Sequence, residues 1–384
     1  MAGDGDISSA CGDTTNKGIR PAGGNWAAVH STPKEVHVNV TFACYQAISI
    51  LRGGPLTQIR STAAALSRHD VAVAYFDPWA PFAKGQCDLI HLFGANIGTY
   101  HLAREIRALG VPMVVSPIIF SRHSSSFIAR TRRAGKILTG VGKGIWLDYG
   151  ITADICSWAS CVLPNTEAEA EIVRNGLGID GKKVIVVPNG VDDRFYSADP
   201  ALFTGKYGIR DFILNVGHTG HVRKNVLALI MALATIDRPA VIIGRIISGE
   251  YGDACRREAA KHKHILLIDG LDNTSEMLAS AYAACDTFVL PSLFETPGIA
   301  ALEAGLAGAK VVITPYGGTT EYFGAMAEYV EPTSVDSIRT GILAALAKPK
   351  TTMLREHIRR NYLWQTVAKK TADAYRKVLA DGGA

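Results

Sequence analysis

From residue 36 onward the chain alternates short apolar runs with longer stretches whose apolar residues recur every three or four positions. HVNVTFACY (37–45), VAVAYFD (71–77), DLIHLFG (88–94) and VPMVVSPIIF (111–120) read as buried strands. The stretches between them, such as 51–70 and 99–110, read as helices, the first entered through a Gly53-Gly54 turn. ASCVLPN (159–165), TEAEAEIVRNGL (166–177) and KKVIVVPNG (182–190) continue the series as strand, helix and strand. Short apolar runs alternating with helices predict βαβ units and a parallel sheet.

The segment 191–211 is polar and turn-rich and reads as an interdomain linker. Alternation then resumes, with strands expected in FILNVGH, AVIIGR, HILLIDG, DTFVLPS and AKVVITPY and helices between them. Two successive doubly wound α/β halves predict a long crevice between them. Residues 1–35 are rich in Gly, Ser, Asp and Thr, have no apolar signal core, and are expected to form a disordered tail.

Composition narrows the class. A chain of 384 residues suits two domains better than one core. With 48% hydrophobic and 20% charged residues it is globular, and the net charge of +5 permits attraction to phosphates or an anionic membrane without requiring it. Its seven cysteines form no CxxC pair, which fits reduced thiols in a cytoplasmic protein. No apolar run approaches the ~18 residues that span a bilayer.

The richest chemistry lies in FETPGIAALEAGLAGAKVVITPYGG, residues 294–318. Thr296 suits a helix N-cap, Pro297 the first helical position, and Gly298 leaves the backbone open to a ligand. A helix starting there points its free N–H groups at the crevice and makes an anion site. Glu295 and Glu303 place a carboxylate at either end, each able to accept two hydroxyl protons from a sugar. Spacing alone favours a capped core helix with Glu303 on its solvated face; the position after a strand, with Thr-Pro-Gly, strengthens the site reading.

The same stretch resembles the Glu-x7-Glu element of the retaining glycosyltransferases of family four, which have the GT-B architecture. Further segments are similar in order: the glycine loop and helix at 51–73, the Pro-Asn-Gly-Val-Asp signature in KKVIVVPNGVDDRF, the phosphate element in LNVGHTGHVRKNVLALIMAL, the loop GGTTEYFG, and the final helix NYLWQTVAKKTADAYRKVL. The resemblance runs from about residue 36 to 380. It implies an acceptor-side Rossmann-like domain at 36–204, a nucleotide-sugar domain at 205–360, and a C-terminal segment, 361–384, crossing back to the first.

It also implies roles. Glu303 would hold the ribose, and Glu295 the donor sugar. The amides around Gly298, Ile299 and Ala300 would meet sugar hydroxyls or phosphate. Lys224 matches the diphosphate lysine, Gly53 and Gly54 the loop that closes over phosphate, and Gly270 and Leu271 the edge where the base stacks. The reaction would be hexosyl transfer with retention from a nucleotide sugar to a glycan, glycolipid or other hydroxyl acceptor in cell-surface polymer synthesis, with no cofactor and no metal.

One departure stands out. His218 occupies the position where the family usually carries arginine, and Arg223 beside Lys224 is the candidate for the missing charge. On the acceptor side His123 is the nearest histidine after the strand ending at Ser116, and either a structural or an active-site role fits it. The basic stretch 122–150, with Phe, Ile, Leu and Trp interspersed, is a candidate surface for an anionic membrane or a lipid-linked acceptor and would make the protein peripheral on the inner face of the cytoplasmic membrane. No nucleic-acid motif is present, so no nucleic-acid partner is expected. Two rivals remain: a sugar-nucleotide epimerase of similar fold and a non-enzymatic nucleotide-sugar-binding protein. A nicotinamide enzyme is disfavoured because neither RGGPLTQ nor IGRIISG supplies GxGxxG.

Overall fold

The computed structural model describes residues 38–51, 53–141 and 147–382. The tail at 1–35 and positions 142–146 of the basic stretch lie outside the described residues. Strands β1 (Val38–Cys44), β2 (Val71–Tyr75), β3 (Leu89–Phe93), β4 (Met113–Ser116) and β5 (Cys161–Val162) form a first sheet in the order β2-β1-β3-β4-β5. Strands β6 (Ile213–Val216), β7 (Ala240–Ile243), β8 (Ile265–Ile268), β9 (Thr287–Leu290), β10 (Lys310–Ile313) and β11 (Glu328–Tyr329) form a second, β11-β10-β9-β6-β7-β8. Every pairing is parallel.

Parallel strands joined by helices need both faces covered, which is why they read as continuous apolar runs. In β9 and β10 the faces alternate. Leu290 and Ile313 pack with Phe203, Phe212 and Tyr282, while Val289 and Val312 pack with Leu229, Ile230 and Ile338. The helix Trp364–Gly382 leaves the second half and buries Trp364, Val367, Ala368 and Tyr375 against Val38, Val40 and Leu66 of the first. This is the GT-B arrangement of two Rossmann-like domains, with a C-terminal helix returning to the first.

Two local expectations are corrected. Residues 182–190 do not form a regular strand: Val184 makes only an isolated bridge to Val162. Ile185 and Val187 donate to the carbonyls of Val162 and Pro164, but Pro164 has no N–H to return a bond and complete the ladder. The segment 191–211 is not a bare linker either. Val191, Phe195 and Phe203 are buried in the core of the second half, and Ala201–Tyr207 is helical. Its aromatic residues stand too far apart to give a periodic signal.

Candidate active site in the crevice

In the second sheet β6 and β9 are neighbours, yet the chain leaves β6 toward β7 and β8 at one edge and leaves β9 toward β10 and β11 at the other. Connections that diverge in this way open a crevice at the carboxyl ends of the two strands. The loop after β6 carries His218, Arg223 and Lys224, and the loop after β9 carries Glu295. The two loops are laced together. Leu293 N–H donates to Arg223 O at 2.9 Å, Arg223 Nη1 to Phe294 O at 2.8 Å, and Asn225 Nδ2 to Pro291 O at 3.0 Å.

This lacing brings Lys224 Nζ to 2.5 Å from Glu295 Oε1, with Arg223 Nη1 at 3.4 Å from the same oxygen. Glu295 is 5% exposed. Burial alone would raise its pKa, but the Lys224 and Arg223 charges outweigh burial and hold the carboxyl below the usual carboxylate range. The backbone of Glu295 is pinned from the other side by Gly317, where a Cβ would lie 1.9 Å from Glu295 O. Only glycine permits that approach.

The helix expected to start at Thr296 and Pro297 begins two residues later, spanning Ile299–Leu306. Gly298, at φ 81°, caps it in the left-handed region that a side chain resists. Thr296 is therefore not the N-cap, and the cis Thr296–Pro297 peptide precedes the helix. The N–H groups of Ile299 and Ala300 lie in the first turn, where a helix has no acceptor of its own. Glu303 is 5% exposed, which removes the solvated-face alternative. It accepts a 2.7 Å hydrogen bond from the Tyr282 hydroxyl. Burial pushes its carboxyl up to about 7, against the opposing pull of that hydrogen bond and of Arg194. The two glutamates thus differ in charge environment: Glu295 is held ionised by cations, and Glu303 is poised near neutrality.

The remaining residues fall around this pair. His218 lies with its ring centroid 5.8 Å from that of His221. Burial, then the charges of His218, Arg223 and Lys224, lower the His221 pKa. Gly270 and Leu271 follow β8 at the same carboxyl edge. From the first half, a Cβ at Gly54 would stand 3.9 Å from Ile299 Cδ1, so the glycine turn faces the helix start across the crevice, with exposed Gly53 beside it. His123 is exposed and lies 2.8 Å from the Tyr149 hydroxyl through Nδ1. Its neighbours reach further. Arg122 Cζ lies 4.2 Å from the Tyr316 ring centroid, and Arg223 Cζ lies 5.2 Å from that of Phe120.

Tyr282, Arg194, Phe120 and Tyr316 were not legible as site residues. Tyr282 sits in a helix that reads as ordinary core, and only its 2.7 Å bond to Glu303 gives it a role. Phe120 and Arg122, just after a strand end, carried the sole available signal: an aromatic and a cation at the carboxyl edge of a parallel sheet.

Residues 203–362 match the family model for glycosyl transferases group 1, and residues 52–190 match that for a glycosyl transferase 4-like domain. An uncharacterised glycosyltransferase of Methanocaldococcus jannaschii is 28% identical over 75% of this chain and 73% of its own. A D-inositol 3-phosphate glycosyltransferase of Mycobacteroides abscessus is 26% identical over 61% of this chain, which spans only 50% of that relative. The fold is similar to sucrose-phosphate synthase from Thermosynechococcus elongatus, with a TM-score of 0.71 at 16% identity, covering 90% of this chain and 100% of the other. It is also similar to Anabaena HepE in complex with UDP and glucose, with a TM-score of 0.60 at 16% identity, covering 91% of this chain and 100% of the other. With the motif order, the switch-point crevice and both family models in agreement, the chain belongs to the group 1 glycosyltransferases of family four, built on the GT-B fold.

Proposed function

We infer that the protein transfers a hexose, with retention, from a nucleoside-diphosphate sugar to a hydroxyl of a glycan or lipid-linked acceptor. The observation that carries this reading is the pair of buried glutamates at the switch point, one bound to two cations and the other held by a tyrosine. Glu303 would accept the ribose hydroxyls. The amides of Gly298, Ile299 and Ala300, with Lys224, Arg223 and His218, would surround the diphosphate and sugar. Gly53 and Gly54 would cover the phosphate from the first half, and Gly270 and Leu271 would border the base. The bound UDP of Anabaena HepE belongs to that protein and supports the donor class here by analogy of fold.

In the step itself the acceptor hydroxyl would attack the anomeric carbon as its C–O bond to the diphosphate breaks. The bonding pair leaves with the phosphate, which takes the hydroxyl proton. Negative charge grows on the leaving oxygen, where Lys224 and Arg223 would act. Preorganised charge of this kind is usually the largest catalytic term. Glu295, already neutralised by Lys224, is poorly suited to act as a nucleophile, which favours front-face attack over a covalent intermediate. No metal is assigned to the step. His123, with Tyr149, is the proposed acceptor-side group, and the basic stretch 122–150 the proposed contact with an anionic membrane, giving a peripheral site on the cytoplasmic face and a role in cell-surface polymer or glycolipid synthesis.

The test is incubation of the purified protein with UDP-, GDP- and ADP-sugars, following release of nucleoside diphosphate and the anomeric configuration of the product. Turnover of one donor with retention is expected. No turnover with any donor, or inversion, would overturn the reading.

A further inference from the structure

Glu169 is 3% exposed and lies in a short acidic helix, Glu167–Glu171, within the stretch that reads in sequence as a helix. Its carboxylate points inward. Oε1 accepts the Ile119 N–H at 2.6 Å, and Oε2 accepts the Asn165 N–H at 2.6 Å. Burial drives its carboxyl up to about 7 against those two hydrogen bonds, so its retention there carries a free-energy cost.

The Ile119 amide sits at an unusual place. Ile118, just before it, has φ 54°, a left-handed conformation that a β-branched residue resists. Such a turn persists only where its surroundings over-determine it. The residues that follow cross the crevice: Phe120 lies against Arg223 and Phe294, and Arg122 over Tyr316. Asn165, the other group held by Glu169, receives Gln58 Nε2 on Oδ1 at 3.2 Å and the Tyr322 hydroxyl on its carbonyl at 2.9 Å. Gln58 belongs to the helix that follows the glycine turn, and Tyr322 to the second half. One buried carboxylate therefore anchors the strained turn to a junction shared by the glycine-loop helix and the second domain.

We propose that Glu169 is a positioning residue for glycosyl transfer: it holds the Ile118 turn so that the 119–123 loop meets the diphosphate cation Arg223 and the Tyr316 face. The proposal rests on the donor-site reading given above, and it predicts a specific rescue. Glutamine at 169 keeps the shape but offers only one acceptor, so one of the two N–H groups loses its partner. Glycine adopts φ 54° without strain. Ile118→Gly should therefore restore what Glu169→Gln loses.

Three measurements apply to wild type, Glu169→Gln, and Glu169→Gln with Ile118→Gly. With the nucleotide sugar that the panel shows to turn over fastest, Glu169→Gln should lower kcat at least about tenfold with little change in donor KM. UDP, GDP or ADP, matched to that donor, should titrate within about twofold of wild type by calorimetry, because the second-domain site is intact. The double variant should recover most of the lost turnover. Wild-type turnover in Glu169→Gln, or a loss that Ile118→Gly does not relieve, would overturn the proposal. Hydrogen exchange across residues 119–124, read by mass spectrometry, tests the hold without any donor. It should accelerate in Glu169→Gln and slow again in the double variant, and unchanged exchange would overturn the proposal. If wild type turns over no donor while exchange behaves as expected, the transferase reading fails and the hold on the turn stands.

Discussion

Lys224 and Glu295 meet at 2.5 Å, so the cation proposed for the diphosphate and the carboxylate proposed for the sugar form one ion pair. Their side chains are 19% and 6% exposed, and solvent screens the pair little. Lys224→Met should leave a buried carboxylate with only the more distant Arg223, at a cost of about 2–3 kcal/mol in stability. Adding Glu295→Gln should return most of that stability while donor turnover stays lost. Urea midpoints beside turnover separate the two effects, and recovery of both together would make the pair purely structural. The acid limb has a defined sign. Glu295 is held below its ordinary pKa, so its stabilisation is present above the ordinary carboxylate range and is lost as pH falls through the depressed value. Lys224→Met should weaken that limb.

Glu303 should give nucleotide binding a pH signature. The Glu303 carboxyl lies at about 7, with Tyr282, Arg194 and Asp192 as its polar neighbours. Only its ionised form accepts two ribose hydroxyls, so nucleotide affinity should rise as pH rises through about 7. Titrating wild type against Glu303→Gln cancels the ligand's own ionisation and isolates the rising limb. A flat difference between the two would remove Glu303 from the ribose.

Gly298→Ala should cost about 1–2 kcal/mol, because the new side chain must adopt φ 81°. Its Cβ would also stand 3.0 Å from Leu290 Cδ2. The helix start should shift, and nucleoside-diphosphate affinity should fall along with stability. An unchanged calorimetric titration would mean that this helix start does not face the ligand.

The alternation of apolar runs was enough to anticipate two parallel sheets, because strands buried on both faces announce themselves locally. It failed at 182–190, where the apolar run is real but Pro164 in the neighbouring segment cannot complete a ladder, a matter of partners rather than of composition. The Glu-x7-Glu spacing located both carboxylates, yet it placed the helix start too early because Thr296 and Pro297 imitate a cap that Gly298 supplies. Glu169 was invisible for a different reason. Its partners, Ile119 and Asn165, flank separate strands, and nothing within TEAEAE distinguishes its inward carboxylate from the exposed Glu167 and Glu171.

The two buried glutamates are proposed to serve different parts of one donor. Calorimetric titration with nucleoside diphosphate, beside steady-state turnover, tests it in Glu303→Ala and Glu295→Ala. Glu303→Ala should weaken nucleotide binding by ~1–3 kcal/mol, since the ribose contact is remote from the breaking bond and alike in ground and transition states. Glu295→Ala should leave nucleotide binding nearly intact and depress kcat, since the sugar changes shape and charge as it reacts. Normal nucleotide binding by folded Glu303→Ala, or wild-type turnover by folded Glu295→Ala, would contradict the account.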